Sequence, residues 1–151
     1  MVKRTSPRIA TVILGEAPLS LRVRWHEGGE SIVDVSALID TFSVYTPLQK
    51  DPALFEQVEV GAHGGGLAWA DSIYMAATLV WRLAQEQSGK TLTAEGFRAW
   101  RERRAYTLDA AAKALGLSRR MVAYYEHGEK PIPRTVTLAT RALEMDAALT
   151  T

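Results

Sequence analysis

The fold of the C-terminal part of this chain is decided by residues 107–128, which have the sequence TLDAAAKALGLSRRMVAYYEHG. Thr107 can cap a helix that continues to Leu115, and Gly116 suits the left-handed position at which helices end. Ser118 can cap another helix only two residues later. Two capped helices joined by a turn of about three residues predict a helix-turn-helix motif.

The second helix of this motif has one apolar and one polar side. Val122 and Tyr125 are three residues apart and are expected to face the core. The positions left facing outward are Arg119, Arg120, Ala123 and Tyr124. Such an outward set is typical of a recognition helix, which enters the major groove of DNA.

Residues 107–128 resemble the DNA-binding domains of the phage lambda repressor, Cro and Xre class. The features that carry the resemblance are Thr107, Ala112, Leu115-Gly116, Ser118, Val122, an aromatic residue followed by Glu126, and Gly128. The resemblance implies that Arg119, Arg120 and, one turn later, Tyr124 contact bases or phosphates. It also implies a structural ion pair between Arg101 of the preceding helix and Glu126. The family frequently has a phosphate-contacting glutamine where this chain has Leu108, so one backbone contact is expected to be missing.

The predicted base contacts are Arg119, Arg120, Tyr124 and Ala123. The two arginines directly follow the cap Ser118, which favours DNA contact over a role as solvated surface charges. Arginine bound through two hydrogen bonds to guanine contributes about 1–3 kcal/mol of discrimination. Tyr124 either stacks on a sugar or a thymine methyl group or covers the edge of the core, and the sequence leaves both possibilities open.

The predicted phosphate contacts lie at helix ends and in loops, where the rim of a helix-turn-helix domain meets the DNA backbone. They are Thr107, Ser118, Arg98, Lys130 and Arg134. For Arg98, Lys130 and Arg134, an exposed position without DNA contact remains the alternative.

The chain is predicted to contain two domains, 1–88 and 89–151, because β-rich runs give way to short helices at Ser88-Gly89-Lys90. The first domain has seven Lys and Arg against ten Asp and Glu, a net charge of −3, whereas the second has eleven against seven, a net charge of +4. This asymmetry indicates that the C-terminal domain meets an anionic partner, which we expect to be double-stranded DNA.

The predicted fold class is an α+β N-terminal domain with an antiparallel sheet, followed by an all-α, lambda-repressor-like domain of four to five helices. The strand candidates are Ile9–Leu14, Leu19–Trp25, Ser31–Val35, Val58–Val60 and Leu67–Trp69, with a glycine hairpin at residues 27–30. The helix candidates are a short one from Asp34, a brief one capped by Asp51, and Ser72–Gln87, Ala94–Ala105 and Arg134–Leu143. The apolar run Phe42–Leu48 is expected to stop at Pro47.

Four segments of the N-terminal domain resemble a bacterial family of small domains of unknown function. They are LRVRWHEGG at 21–29, VDV at 33–35, YTPLQKDPALF at 45–55 and WADSI at 69–73. The resemblance implies a fold and no chemistry. Some relatives are encoded beside small toxin-like proteins, so an antitoxin role stays open.

The residues offer no catalytic or metal site. The chain has no cysteine, and its three histidines, His26, His63 and His127, are scattered, so we expect no metal and no cofactor. The aspartates Asp34, Asp40, Asp51 and Asp71 each precede a helix or turn, where aspartate is expected as a cap. The glycine-rich Gly61–Gly66 lacks phosphate-loop spacing and fits a hairpin turn better. We therefore expect that the protein is not an enzyme.

The leading hypothesis is a transcriptional regulator of the repressor type that binds double-stranded DNA in a sequence-specific way. The apolar run after Met1–Arg8 is too short for a secretory or membrane segment, so a cytoplasmic protein is expected. A homodimer is expected to form through the N-terminal domain, because the last predicted helix ends at Leu143 and leaves no C-terminal dimerisation element. The alternative is an antitoxin-like or protein-interaction module that autoregulates its operon. The operator, the sign of regulation and any effector ligand stay open.

Overall fold

A computed structural model describes residues 6–70 and 72–150 of the chain. Asp71 and residues 1–5, which figured in the sequence analysis, lie outside the described residues. The chain divides into two compact units, Met1–Gln87 and Ser88–Thr151. The first unit ends at Gln87, one residue before the boundary that was predicted after Ser88.

The N-terminal unit begins with a three-stranded antiparallel sheet in the order β1-β2-β3. Its strands are β1 (Ile9–Leu14), β2 (Ser20–Trp25) and β3 (Glu30–Asp34). Alternation along β2 buries Leu21, Val23 and Trp25, as a half-buried strand requires. The predicted glycine hairpin between β2 and β3 is confirmed, with φ of 102° at Gly28 and 90° at Gly29.

A second antiparallel sheet contains β4 (Glu59–Val60), β5 (Gly66–Trp69) and β6 (Ile73–Ala76). The glycine-rich segment joins β4 to β5 through a short 3-10 turn, Ala62–Gly64, so its interpretation as a hairpin connection is confirmed. Gly64 has a φ of 70°, and a Cβ atom there would lie 2.5 Å from the carbonyl oxygen of Ile9. This position therefore requires glycine for a close backbone approach.

The prediction of one helix over Ser72–Gln87 is wrong in its first part. Residues Ile73–Ala76 form β6, and helix α4 covers only Ala77–Gln87. Ile73 and Met75 are buried whereas Tyr74 between them is exposed, which is the period of a strand. Ile73 pairs with Trp69 of the neighbouring strand, so pairing with β5 overrides the helical pattern.

Along the chain, three short helices separate the two sheets: α1 (Ser36–Thr41), α2 (Thr46–Lys50) and α3 (Pro52–Phe55). A 3-10 turn, Ser43–Tyr45, precedes α2. The prediction that Pro47 stops the apolar run is wrong, because Pro47 lies in the first turn of α2, where a missing N–H costs no hydrogen bond. The predicted cap is confirmed, since the Asp51 carboxylate accepts hydrogen bonds from the backbone N–H groups of Ala53 and Leu54.

The core of the N-terminal unit lies between the sheets and helices. Trp69 is fully buried, stacks on Phe55 at 5.9 Å between ring centroids, and donates its Nε1–H to the carbonyl oxygen of Phe55 at 3.0 Å. Helix α4 packs against β3, and the side-chain amide of Gln87 bonds both the N–H and the carbonyl of Asp34. This amide satisfies backbone groups that an edge strand leaves open.

The C-terminal unit is all-helical, as predicted. Its helices are α5 (Ala94–Arg103), α6 (Leu108–Leu115), α7 (Arg119–Glu126) and α8 (Arg134–Thr150). Phe97, Trp100, Val122 and Tyr125 are buried in its centre. The predicted end of the last helix at Leu143 is wrong, because α8 continues seven residues further without a glycine or proline to stop it. None of the described helices is long and apolar enough to cross a membrane.

Candidate nucleic-acid interface

Helices α6 and α7 form the helix-turn-helix motif, and each begins at a side-chain cap. Thr107 Oγ1 accepts the N–H of Ala110 at 3.0 Å, and Ser118 Oγ accepts the N–H of Met121 at 3.1 Å. Gly116 ends α6 with a φ of 70°, as predicted, and the N–H of Leu117 returns to the carbonyl of Ala112 at 2.9 Å. Local hydrogen bonds thus fix both ends of the turn.

Helix α7 presents the predicted faces. Val122 and Tyr125 are buried, and burial raises the pKa of the Tyr125 hydroxyl above its ordinary value. Arg119 and Arg120 are exposed, and Ala123 and Tyr124 are half-buried beside them. The start of α7 is therefore an accessible basic surface.

The two exposed arginines have different partners. Arg119 forms an ion pair with Asp109 of α6, with 3.3 Å between Nη1 and Oδ2. Arg120 donates its Nε–H to the hydroxyl of Tyr124 at 2.7 Å. Arg119 is thus paired with a carboxylate, whereas Arg120 keeps its full charge beside a neutral phenol.

Tyr124 also contacts a second cation. The guanidinium carbon of Arg120 lies over the Tyr124 ring at 5.6 Å from its centroid, and the ammonium nitrogen of Lys130 lies over the same ring at 4.9 Å. Both distances are within the range of cation–π attraction. Tyr124 therefore brings a predicted base contact and a predicted phosphate contact to one ring.

The implied pair of Arg101 and Glu126 is present in the structure. Arg101 Nε donates to Glu126 Oε1, and Arg101 Nη1 donates to the carbonyl oxygen of Tyr106 at 2.8 Å. Only 7% of the Glu126 side chain is exposed, against 20% for Arg101, so solvent screens this pair weakly. The pair links α5 to the end of α7. Its role is therefore structural.

The remaining predicted phosphate contacts also make intramolecular hydrogen bonds. Arg98 Nη2 donates to the carbonyl oxygen of Glu126 at 3.2 Å, and Arg134 Nη1 donates to that of Lys90 at 2.7 Å. The hydroxyls of Thr107 and Ser118 accept from their own helices, which leaves their O–H groups able to donate. Thr107 and Ser118 lie at the starts of α6 and α7, whereas Arg98 and Arg134 belong to α5 and α8.

Sequence reasoning missed two features of this surface. The Asp109–Arg119 pair spans ten residues across the turn, and no helical spacing rule signals such a contact. The contact of Lys130 with Tyr124 depends on the path of the loop after α7, which carries no local signal. The bounds of the motif and its caps, by contrast, were predictable from residue types alone.

The other candidate sites of the sequence analysis do not come together. Within residues 6–70 and 72–150, no group of three or more His, Asp and Glu side chains is placed to hold a metal ion. The N-terminal unit has a groove of about 420 Å³ lined mainly by apolar groups such as Leu48 and Phe55, with the carboxylates Glu16 and Glu56 along it. Three aspartates of this unit serve local structure: Asp51 caps α3, Asp34 accepts the N–H of Ser36, and Asp40 accepts from Gln49.

Comparisons with known proteins agree with this geometry. A family model for a helix-turn-helix domain matches residues 94–151, which confirms the predicted motif. No curated protein matches the chain. The crystal structure of a "putative DNA binding protein" from Nitrosomonas europaea is 35% identical and has a TM-score of 0.55. The match covers 95% of this chain and 90% of that one. The chain therefore belongs to the same family as this Nitrosomonas europaea protein, with a helix-turn-helix domain at residues 94–151.

Proposed function

We propose that this protein binds double-stranded DNA in a sequence-specific way and acts as a transcriptional regulator of the repressor type. The observation that carries the proposal is the exposed pair Arg119 and Arg120 at the first two positions of α7, directly after a capped turn. In helix-turn-helix proteins the N-terminal residues of this helix contact base edges in the major groove. The name of the Nitrosomonas europaea relative supports the DNA-binding part of this proposal.

The proposed base contacts are Arg119, Arg120 and Ala123. An arginine at a helix start can donate two hydrogen bonds to the O6 and N7 atoms of guanine, which distinguishes that base from the other three. The small side chain of Ala123 allows the helix to approach closely and can contact the methyl group of thymine.

The proposed phosphate contacts are Thr107, Ser118, Arg98, Lys130 and Arg134. They lie at helix starts or beside the motif, where side chains fix the register of the protein on the duplex. The net charge of +4 on residues 89–151 supports an electrostatic contribution to binding. Each neutralised phosphate is expected to steepen the slope of log K against log salt by about 0.9.

A homodimer formed through the N-terminal unit is part of the proposal. Ile13, Arg22 and Ile32 are paired across β1, β2 and β3, so they share the outer face of that sheet. The two isoleucines are 59% and 63% exposed and flank Arg22 on this one face, so they offer a shared apolar surface to a partner. A second copy that covers this face would bury them and would join two helix-turn-helix domains in one assembly, as a palindromic operator requires.

The test is selection of bound duplexes from a random DNA library near physiological ionic strength. Wild-type protein is expected to enrich one palindromic motif, and the Arg119→Ala, Arg120→Ala double variant is expected to enrich none. The control is the Arg103→Ala, Arg141→Ala double variant, which removes the same charge from α5 and α8 and should enrich the wild-type motif. Absence of any motif with wild-type protein would contradict the proposal.

The dimer has its own test. Sedimentation is expected to show that the Ile13→Lys and Ile32→Lys variants are monomers. In either variant, dimerisation would bury an ammonium group in the proposed interface, which is costly. Val44→Lys, at a side chain that is 55% exposed in the same unit, is the matched control and should remain dimeric. Loss of the dimer in all three variants would argue against the sheet face.

A second candidate function is an antitoxin-like module whose N-terminal unit masks a partner protein while the helices regulate the operon. Exposed apolar side chains away from Ile13 and Ile32 favour this second function, because such groups are common in protein interfaces. They are Phe42, Val44 and Tyr74. A stable complex with the product of a neighbouring gene, weakened by Val44→Lys, would distinguish it from a regulator that acts alone.

Neither candidate function requires catalysis or a cofactor, and the proposal assigns none to this chain. Operator DNA in a bacterial cell lies in the cytoplasm, so the proposal places the protein there.

A further inference from the structure

Tyr124 makes three contacts with cations on the proposed DNA-binding surface. Its hydroxyl accepts the Nε–H of Arg120 at 2.7 Å, and its ring lies beneath both the Arg120 guanidinium and the Lys130 ammonium group. Arg120 precedes Tyr124 by one helical turn, whereas Lys130 comes from the loop after α7. One aromatic side chain thus holds two cations from different elements.

The hydrogen bond decides which atoms of Arg120 stay available. A guanidinium carries five N–H donors, and the bond to Tyr124 uses the single one on Nε. The four donors on Nη1 and Nη2 remain, and they form the fork that binds two acceptors of one planar group. The bond and the ring contact together restrict rotation of a long side chain that would otherwise lose its freedom on binding.

Charge distinguishes this arrangement from the neighbouring one. Arg119 lies against the Asp109 carboxylate, which offsets its charge, whereas the phenol beside Arg120 is neutral. The face of an aromatic ring attracts cations through its quadrupole and leaves their net charge intact. The same attraction holds both Arg120 and Lys130 at the Tyr124 ring, although two cations repel each other.

We propose that Tyr124 is a positioning residue: it orients the Nη fork of Arg120 toward a guanine edge and holds Lys130 at an adjoining phosphate. This assignment replaces the predicted direct base contact of Tyr124 and rests on the proposed function. The ring and the hydroxyl have separable tasks, because the hydroxyl acts only on Arg120 whereas the ring acts on both cations.

The test compares Tyr124→Phe, which keeps the ring, with Tyr124→Leu, which removes ring and hydroxyl. Tyr106→Phe is the matched control, because Tyr106 also accepts from an arginine, Arg104 Nη2 at 3.4 Å, and also lies under its guanidinium carbon at 5.4 Å. Binding is measured for the selected duplex and for each of its single-base-pair variants, at several salt concentrations. Arg120→Ala identifies the base pair that Arg120 contacts.

Tyr124→Phe is expected to lose about two- to tenfold in discrimination at that one base pair, the range of a single hydrogen bond, with an unchanged salt slope. Tyr124→Leu is expected also to lower the salt slope, as Lys130→Ala should, and Tyr106→Phe should match wild type. If Tyr124→Phe discriminated at this base pair as well as wild type does, the inference would be overturned. A uniform loss over all base pairs in Tyr124→Phe, or a lower melting temperature for it, would also overturn it.

A second measurement needs no DNA and keeps the inference separate from the proposed function. In the free protein, the Nε–H resonance of Arg120 is expected to exchange slowly with water in wild type and rapidly in Tyr124→Phe. If wild-type protein selects no motif, the proposed function fails while this measurement still decides whether Tyr124 holds Arg120. Rapid exchange already in wild type would overturn the positioning role itself.

Discussion

Three helices of the C-terminal unit begin differently from the first two helices of the N-terminal unit. In the C-terminal unit, Thr93, Thr107 and Ser118 each accept a backbone N–H from the first turn of α5, α6 and α7. In the N-terminal unit, α1 and α2 follow Val35 and Tyr45, neither of which makes a side-chain cap. Helices α5, α6 and α7 are therefore specified locally, as is α3 with its Asp51 cap, whereas α1 and α2 depend on the packing of residues such as Ile39 and Leu48.

The units also use polar and small residues differently. The C-terminal unit joins α5 to α7 through a half-buried ion pair, Arg101–Glu126. The N-terminal unit instead brings backbone segments into contact at glycines, as Gly64 does against Ile9. Substitutions that remove one of these contacts at a time can show how much each contributes to the stability of its unit.

The largest effect is expected from removing the central tryptophan of either unit. Trp69 and Trp100 are 0% and 1% exposed, so Trp69→Ala and Trp100→Ala should each cost about 3–5 kcal/mol. Trp69→Ala should cost more, because Trp69 Nε1 donates to Phe55 whereas Trp100 Nε1 has no partner among the described residues. Hydrogen exchange should show lost protection only in the unit that carries the substitution. Equal loss in both units would contradict the division at Gln87.

Two glycines with the same backbone angle separate conformational strain from crowding. Gly64 and Gly116 both have a φ of 70°, but a Cβ would lie 2.5 Å from Ile9 O at Gly64 and would contact nothing within 4 Å at Gly116. Gly116→Ala should cost about 1–2 kcal/mol from the left-handed conformation alone. Gly64→Ala should cost about 1–3 kcal/mol more, because the opposing atom belongs to the backbone. Urea unfolding measures the free energy of unfolding of both variants. Equal losses would show that the backbone of β1 shifts away from the added Cβ atom at residue 64.

The ion pair of the C-terminal unit is expected to be the next strongest contributor. Arg101→Met leaves the Glu126 carboxylate buried without its cation and should cost about 3 kcal/mol. The control is Arg103→Met, whose pair with Glu144 has both side chains at least 40% exposed and should cost at most about 1 kcal/mol. Thermal unfolding of both variants measures the difference. Similar costs would mean that burial does not strengthen the Arg101 pair.

The same contrast explains what the sequence could predict. Caps and the Gly116 stop are adjacent to the helices that they bound, so α6, α7 and the faces of α7 were predictable from local residue types. The strand β6 was missed because its pairing with β5 outweighs a helix-like pattern, and Pro47 was misplaced because the start of α2 carries no cap. At the candidate site, the partners of Arg119 and Lys130 come from elements that only the fold brings together.

The smallest effect concerns a property that both units share. Tyr45 in one unit and Tyr125 in the other are buried, and burial raises the pKa of each hydroxyl above its ordinary value of 10.0. In the unfolded chain these groups lose protons above about pH 10, whereas the folded chain still keeps them, so the unfolded state binds fewer protons there.

Stability should therefore be independent of these groups below about pH 10 and should fall as the pH rises above it. Tyr45→Phe and Tyr125→Phe remove the titrating hydroxyls, so each variant should show a shallower alkaline fall in the free energy of unfolding than wild type. Urea titrations from about pH 8 to about pH 11 measure the slope. If one variant alone becomes shallower, only the tyrosine of that unit keeps its proton in the folded state at high pH. An unchanged slope in both would mean that water reaches the two hydroxyls as readily as in the unfolded chain.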